Sequence, residues 1–220
     1  MPDFDIRQVL VSFLAIVMSI TVHEFAHAIT ADRLGDDTPR RHGRITLNPI
    51  VLFRAYPVGS LVVPLIGAFT GFLAGWAATP INPAAVRRDI TMRKAEILIT
   101  AAGPLSNGLF AILALALYAA FFALAHAGHA WVEPFVLLTG VLVFANIFLM
   151  FFNFLPIPPL DGFHIIKALS PGEGGPVVRF LEQYGLLILI VVIYYGSHLF
   201  GPIQGFIATA LAWAQTIGAP

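Results

Sequence analysis

Two histidines and a glutamate lie within five residues of one another in the run His23-Glu24-Phe25-Ala26-His27. On a helix, side chains four positions apart share one face, with their Cβ atoms about 5–6 Å apart. Two imidazoles placed in this way can bind one zinc ion, and the glutamate beside the first can act on a water held by that zinc. The run therefore predicts a hydrolytic metal centre with His23 and His27 as ligands and Glu24 as the acid–base group.

This run stands at the end of an apolar stretch that is long enough to enter a lipid bilayer. The alternative is an accidental pair of histidines that only hydrogen-bond to their neighbours. Three polar side chains at that depth are unfavourable unless something compensates for their burial. The position of the run in the chain therefore favours a functional site.

Composition indicates a membrane protein. Of the 220 residues, 58% are hydrophobic and 11% are charged, whereas soluble domains have about 25% charged residues. Twelve basic and twelve acidic residues give a net charge of zero, so the chain lacks the basic surface that nucleic-acid binding requires. It contains no cysteine, so a transition metal must be bound by histidine and carboxylate.

The hydrophobic pattern predicts an all-α polytopic membrane protein in a single domain, 1–220. We expect about four to six transmembrane helices, a re-entrant segment and short β-like loops near the site. The apolar stretches are residues 6–31, 95–124, 134–152 and 184–200, with a last one ending at 217 whose crossing is undecided. A weakly alternating stretch, 43–49, could form a short strand.

Charge in the loops predicts the topology. The segment 59–78 is apolar but broken by proline and glycine, and both loops that flank it are basic. Because basic loops stay in the cytoplasm, this segment should enter and leave on one side, which irregular backbone allows. The first helix then runs inward, so its two histidines lie toward the cytoplasm. The proline-rich segment 155–162 arrives at the same face and at a similar depth.

Catalytic zinc needs three protein ligands and one open position, so a third ligand must come from elsewhere in the chain. The free candidates, besides scattered glutamates, are Asp161, His42, His126, His129, His164 and His198. Asp161 is the best placed, because it follows a predicted span on the correct face. It could equally be the N-cap of a helix that starts near Gly162, and His164 is the rival ligand.

Two motifs make the chain resemble the site-2 protease family of intramembrane zinc metalloproteases. One is the HExxH run at 23–27, and the other is the run from Asn153 to Gly162, which matches the family's NxxPxPxxDG. Residues 43–49, 75–83 and 102–107 are also similar to the compact bacterial and archaeal branch of the family. The resemblance covers residues 6 to about 169, and no loop is long enough for a PDZ domain.

The resemblance implies roles for five residues. Asp161 would join His23 and His27 as the third ligand of one zinc per chain. Glu24 would be the general base and acid, and Asn153 would bond the substrate or the developing oxyanion, although Asn153 could instead be a helix C-cap. Asn107 and Asn146 are interpreted only as packing residues.

The resemblance also implies an activity and a setting. The chain would hydrolyse peptide bonds of single-span membrane proteins near the cytoplasmic face of the plasma membrane. Its other partner would be the lipid bilayer, and it would bind no nucleic acid. An unwound substrate could pair with the stretches 43–49 and 76–83 by strand addition. The alternatives are an inactive membrane scaffold, a zinc-binding transporter, and a zincin with a downstream glutamate ligand such as Glu173 or Glu182.

Overall fold

The computed structural model describes residues 5–70, 75–170, 174–196 and 200–218. The chain is helical almost throughout these ranges. The helices are α1 (Ile6–Arg33), α2 (Thr38–Arg41), α3 (Pro49–Ala55), α4 (Val63–Thr70), α5 (Met92–His126), α6 (Glu133–Asn153), α7 (Asp161–Leu169), α8 (Pro176–Tyr194) and α9 (Gly201–Gly218). A π-helical turn (Val58–Val62) precedes α4, and 3₁₀ turns (Pro83–Ala85 and Ala130–Val132) precede α5 and α6.

Four helical segments in the described part of the chain are long and apolar enough to cross a membrane. They are Ile6–Arg33, Met92–His126, Ala130–Asn153 and Pro176–Tyr194. This number and the absence of strands from the described ranges confirm the prediction of an all-α polytopic membrane protein. The last apolar stretch forms α9, which packs against α5 and α6.

The centre of the molecule is a bundle of α1, α5 and α6, which pack against one another. Small residues with no exposed surface lie where these helices meet, among them Ala15 and Ala114. Small side chains let helix backbones approach closely, which is the main way that helices associate in a bilayer. The bundle is therefore tightly packed around Ala15 and Ala114.

One buried carboxylate ties together the two basic connections. Asp36 has no exposed surface, and its two oxygens accept hydrogen bonds from the backbone N–H groups of Thr38 at 3.0 Å and Asn82 at 2.6 Å. The backbone N–H of Arg87 also donates to the carbonyl of Leu34 at 2.9 Å. These bonds fix the connection after residue 75 beside the end of α1.

The segment predicted to be re-entrant turns back on itself. The π-helical turn and α4 together span Val58–Thr70, which is about 20 Å of helix. The backbone N–H of Trp76 then donates to the carbonyl of Gly59 at 2.9 Å, so residue 76 lies beside the start of the segment. Residues 59 and 76, near the two ends of the predicted segment, are thus close together, and residues 71–74 of that segment lie outside the described ranges.

The stretch 43–49 does not form the short strand that its alternation suggested. Its backbone is taken up in turns, since the N–H groups of Gly43 and Arg44 donate to the carbonyls of Arg40 and Pro39. Asn48 then caps α3 by accepting the N–H of Ile50 at 3.0 Å. Local turn and capping interactions therefore outweigh a weak strand pattern.

Candidate metal centre

The two histidines of α1 lie on one face of the helix and meet edge to edge. Their ring centroids are 4.6 Å apart with an angle of 84° between the planes, and the Nε2 atoms of His23 and His27 are 3.1 Å apart. Only 9% of His23 and 6% of His27 is exposed. The i, i+4 spacing in the sequence is thus realised as a close pair of imidazoles inside the bundle.

A carboxylate from a distant part of the chain completes the cluster. The Oδ2 atom of Asp161 lies 3.2 Å from Nε2 of His23 and 3.5 Å from Nε2 of His27. Among the described residues, this is the group of three histidine or carboxylate side chains that could hold a metal ion. The fold therefore brings close together the three residues that the sequence analysis selected.

The start of α7 fixes the position of Asp161. Asp161 is the first residue of α7, and the N-cap position belongs to Leu160, whose side chain makes no capping bond, so the interpretation of Asp161 as an N-cap is wrong. A Cβ atom at Gly162 would overlap the backbone carbonyls of Phe154 and Leu155. Glycine lets the chain that follows α6 fold back tightly and carry the carboxylate to the histidines.

The hydrogen bonds behind the imidazoles show that these three atoms fit a cation. Nδ1 of His23 is 2.7 Å from Oδ1 of Asn107, and Nδ1 of His27 is 2.7 Å from the carbonyl oxygen of Ile99. Because both partners accept, both Nδ1 atoms carry the proton of a neutral imidazole, and each Nε2 presents a lone pair. Two lone pairs thus converge on one carboxylate oxygen.

That oxygen needs a partner as well. Oδ2 of Asp161 is buried and makes no hydrogen bond of acceptable geometry. The carboxylate oxygen and the two imidazole lone pairs that face it could all bind one divalent metal ion. Two histidines and one carboxylate are a ligand set found in catalytic zinc sites.

Helix α5 makes room for the cluster. A Cβ atom at Gly103 would overlap the imidazoles of both His27 and His23, so only glycine lets α5 pass this close. The next residue, Pro104, lies inside the helix and has no N–H to donate to the carbonyl of Thr100, four residues earlier. In the same turn the carbonyl of Ile99 accepts the bond from His27.

Glu24 lies beside the cluster and is held by a hydroxyl from the connection after the re-entrant segment. It is 6% exposed, and its Oε2 accepts a hydrogen bond from Oγ1 of Thr79 at 2.8 Å. The same hydroxyl lies 3.2 Å from the backbone carbonyl of Glu24. Thr79 lies in an irregular stretch without periodicity, so nothing in the sequence pointed to it.

A cavity of about 720 Å³ opens onto the cluster. His23, Glu24, His27 and Asp161 line it together with Asn153. Asn153 is the last residue of α6 rather than its C-cap, and its amide donates to the carbonyl of Leu149 at 3.0 Å. The structure thus places Asn153 on the same cavity as the cluster.

The rival ligands that fall within the described ranges are not part of the cluster. His164 lines the same cavity, whereas His42, His126 and His129 are exposed. Glu182 pairs with Lys167 at 2.7 Å on the surface. The candidates His198 and Glu173 lie outside the described residues.

Two asparagines that the sequence analysis interpreted as packing residues contact the site or its support. Asn107 bonds His23 directly, and Asn146 bonds Asn107 at 2.7 Å. Both are buried in membrane-spanning helices. An amide in an apolar helix is costly unless it has a partner, and this was the signal in the sequence that could have identified them.

Comparison with known proteins agrees with the geometry. Residues 11–195 match the profile described as Peptidase family M50. The chain is 34% identical over 199 residues to "Putative zinc metalloprotease YwhC" of Bacillus subtilis, an alignment that covers 86% of this chain and 83% of the relative. No solved structure matches the chain significantly.

Mycobacterial proteins are also similar. "Putative zinc metalloprotease Rip2" of Mycolicibacterium smegmatis is 30% identical over 179 residues, which are 80% of this chain and 64% of the relative. The protein of the same name in Mycobacterium tuberculosis is 32% identical over 181 residues, and 63% of it is covered. The chain thus spans just under two thirds of these longer relatives. The relatives' names and the donor set agree on zinc as the cofactor.

Proposed function

This chain belongs to peptidase family M50, the site-2 protease family, and from that premise we propose that it is an intramembrane zinc metalloprotease. Its substrates are single-span membrane proteins, which it cleaves near the cytoplasmic face of the plasma membrane. The observation that carries this proposal is the convergence of His23, His27 and Asp161 beside the carboxylate of Glu24 in one cavity. A purely structural metal site has no need of that carboxylate.

Each residue of the proposed site has a distinct task. His23, His27 and Asp161 hold the metal, and when bound, zinc supplies a Lewis acid that polarises the scissile carbonyl and makes water more acidic. Glu24 takes the proton of the attacking water and delivers it to the departing amine. Asn153 lines the cavity, where its amide can bond the substrate or the developing oxyanion.

The charge of the loops and the position of the site along the helices support a cytoplasmic orientation of the site. His27 lies six residues before the end of α1 at Arg33, which is about 9 Å along the helix. Asp161 likewise follows the end of α6. Both elements end at the side of the bundle where the two basic connections lie, and basic connections stay in the cytoplasm.

The cleavage experiment uses the purified protein in detergent and a panel of single-span membrane peptides. We expect hydrolysis within or at the edge of the span, loss of hydrolysis after the metal is removed with a chelator, and recovery when zinc is returned. Hydrolysis that continues at full rate without metal would contradict the proposal, as would the absence of cleavage across the panel.

The proposed substrate-binding edge is the stretch at 76–79. Ala77 and Ala78 line the cavity beside Glu24, and no hydrogen bond among the described residues uses their backbone groups. A substrate that is unwound at its scissile bond also has unpaired backbone groups. The backbone of Ala77 and Ala78 can form hydrogen bonds with them by strand addition. The stretch 43–49 does not line this cavity, so pairing with the substrate is proposed for 76–79 alone.

Replacing Ala78 by proline tests this edge. The substitution removes one N–H, and we expect kcat/KM to fall about tenfold, because a hydrogen bond contributes about 0.5–1.5 kcal/mol. Zinc content should not change. Ala78→Ser keeps the N–H and is the matched control, so an equal loss in both variants, or no loss in Ala78→Pro, would rule out backbone pairing at this residue.

A further inference from the structure

A buried polar network lies behind His23, on the side away from the metal cluster. It consists of Ser19 on α1, Asn107 on α5 and Asn146 on α6, none of which has exposed surface. Polar side chains in the centre of an apolar bundle are unfavourable unless every group is paired. Each polar group of these three residues therefore needs a hydrogen-bond partner.

The far end of the network fixes the orientation of the amide of Asn146. Its Nδ2 donates to the backbone carbonyl of Leu142 at 2.9 Å and to Oγ of Ser19 at 2.8 Å. The hydroxyl of Ser19 in turn donates to the carbonyl of Ala15 at 2.7 Å. The Leu142 carbonyl can only accept, and the Ser19 hydroxyl has already donated its hydrogen, so the NH₂ group of Asn146 faces these two oxygens and its Oδ1 faces Asn107.

The orientation of Asn107 follows from the same argument. Its Nδ2 donates to Oδ1 of Asn146 at 2.7 Å and to the backbone carbonyl of Ser19 at 3.2 Å. Its Oδ1 is then left facing Nδ1 of His23 at 2.7 Å. An amide oxygen accepts, so the proton of the His23 ring is held at Nδ1 and the lone pair at Nε2.

We propose that Asn107, supported by Asn146 and Ser19, is a positioning residue that holds His23 in the tautomer and orientation needed to bind the metal. This inference rests on the proposed metal site. Ligand histidines bind through one nitrogen while the other donates to an outer partner, which fixes the ring and raises its basicity. His27 obtains this partner from the backbone carbonyl of Ile99, whereas His23 obtains it from a side chain that mutation can remove.

The purely structural alternative is that the network only joins the three helices. That alternative predicts changes in stability and no specific change in the state of the His23 ring. The two are separated by two readouts on the purified full chain: the zinc dissociation constant, from competition with a chromophoric chelator, and the nitrogen-15 spectrum of labelled histidine in the zinc-free protein. The His23 signals are assigned by their loss in a His23→Ala variant.

Asn107→Leu removes the acceptor and keeps the branched shape of the side chain. We expect zinc affinity to fall about 10–100-fold, the usual loss when an outer partner of a metal ligand is removed, and the His23 Nδ1 signal to lose its protonated character. Asn107→Asp keeps an acceptor oxygen for His23 but loses the NH₂ group, so it should retain more of the affinity than Asn107→Leu. Thr139→Val on α6 is the control, since Thr139 is buried and its hydroxyl bonds only carbonyls of its own helix.

Wild-type zinc affinity and a wild-type His23 spectrum in Asn107→Leu would overturn the proposal, and so would equal losses in Asn107→Leu and Asn107→Asp. If Asn107→Leu fails to fold, Asn146→Leu replaces it, because that variant leaves the acceptor in place but frees its amide. An intermediate loss of affinity is then expected, and no loss counts against the proposal. Wild-type protein that binds zinc but cleaves nothing would refute the proposed function and leave this inference standing.

Discussion

Replacing Glu24 by glutamine is expected to reduce peptide hydrolysis about 10²–10⁴-fold, the usual contribution of a positioned general base, while zinc stays bound. Glutamine keeps the size of the side chain and can still accept the hydrogen bond that Thr79 donates at 2.8 Å. It cannot take a proton from water. None of the three proposed ligands is altered, so the variant separates acid–base chemistry from metal binding.

The measurement pairs the cleavage rate with the zinc content of the same preparation. Glu96→Gln is the matched control, because Glu96 faces the same cavity but is not part of the metal cluster. We expect this control to cleave nearly as well as the wild type. Unchanged cleavage in Glu24→Gln would refute its role, and zinc flux across vesicles that survives in that variant would favour a transporter.

Replacing Asp161 by alanine is expected to weaken zinc binding more than about 100-fold, since loss of an outer partner alone costs about 10–100-fold. The substitution leaves two imidazoles as the only protein ligands, whereas catalytic zinc requires three. Cleavage should fall with the loss of zinc and recover in part when zinc is added in excess. Zinc titration of the wild type and the variant gives the two dissociation constants.

His164→Ala is the control for this variant. His164 lines the same cavity and was the rival third ligand on sequence grounds, but the cluster does not include it. We expect His164→Ala to bind zinc as the wild type does. If His164→Ala lost zinc and Asp161→Ala kept it, the assignment of the third ligand would be reversed.

The sequence was sufficient to predict the parts of the site that depend on local spacing and on charge. The i, i+4 histidines on α1 needed only helical periodicity. The prediction that Asp161 lies near the histidines required the direction of two helices, which the basic loops indicated. The resemblance to the family then favoured a metal ligand over an N-cap at Asp161. The matches to peptidase family M50 confirm that resemblance.

The remaining features depend on tertiary contacts that periodicity does not encode. Thr79 reaches Glu24 because the chain folds back at Trp76 and is held at Asn82 by the buried Asp36. Asn107 is 84 positions from His23 in the chain, and its role follows only from the direction of hydrogen bonds across three helices. The weak alternation at 43–49 misled because turns and the cap of α3 use that backbone.

The central claim is that His23, His27 and Asp161 bind one zinc ion, and X-ray absorption at the zinc edge tests it most directly on the purified wild-type protein. We expect one zinc per chain, with two imidazole nitrogens at about 2.0–2.1 Å and oxygen ligands at about 2.0–2.2 Å. A protein that takes up no stoichiometric zinc, or a zinc spectrum without imidazole scattering, would contradict the account.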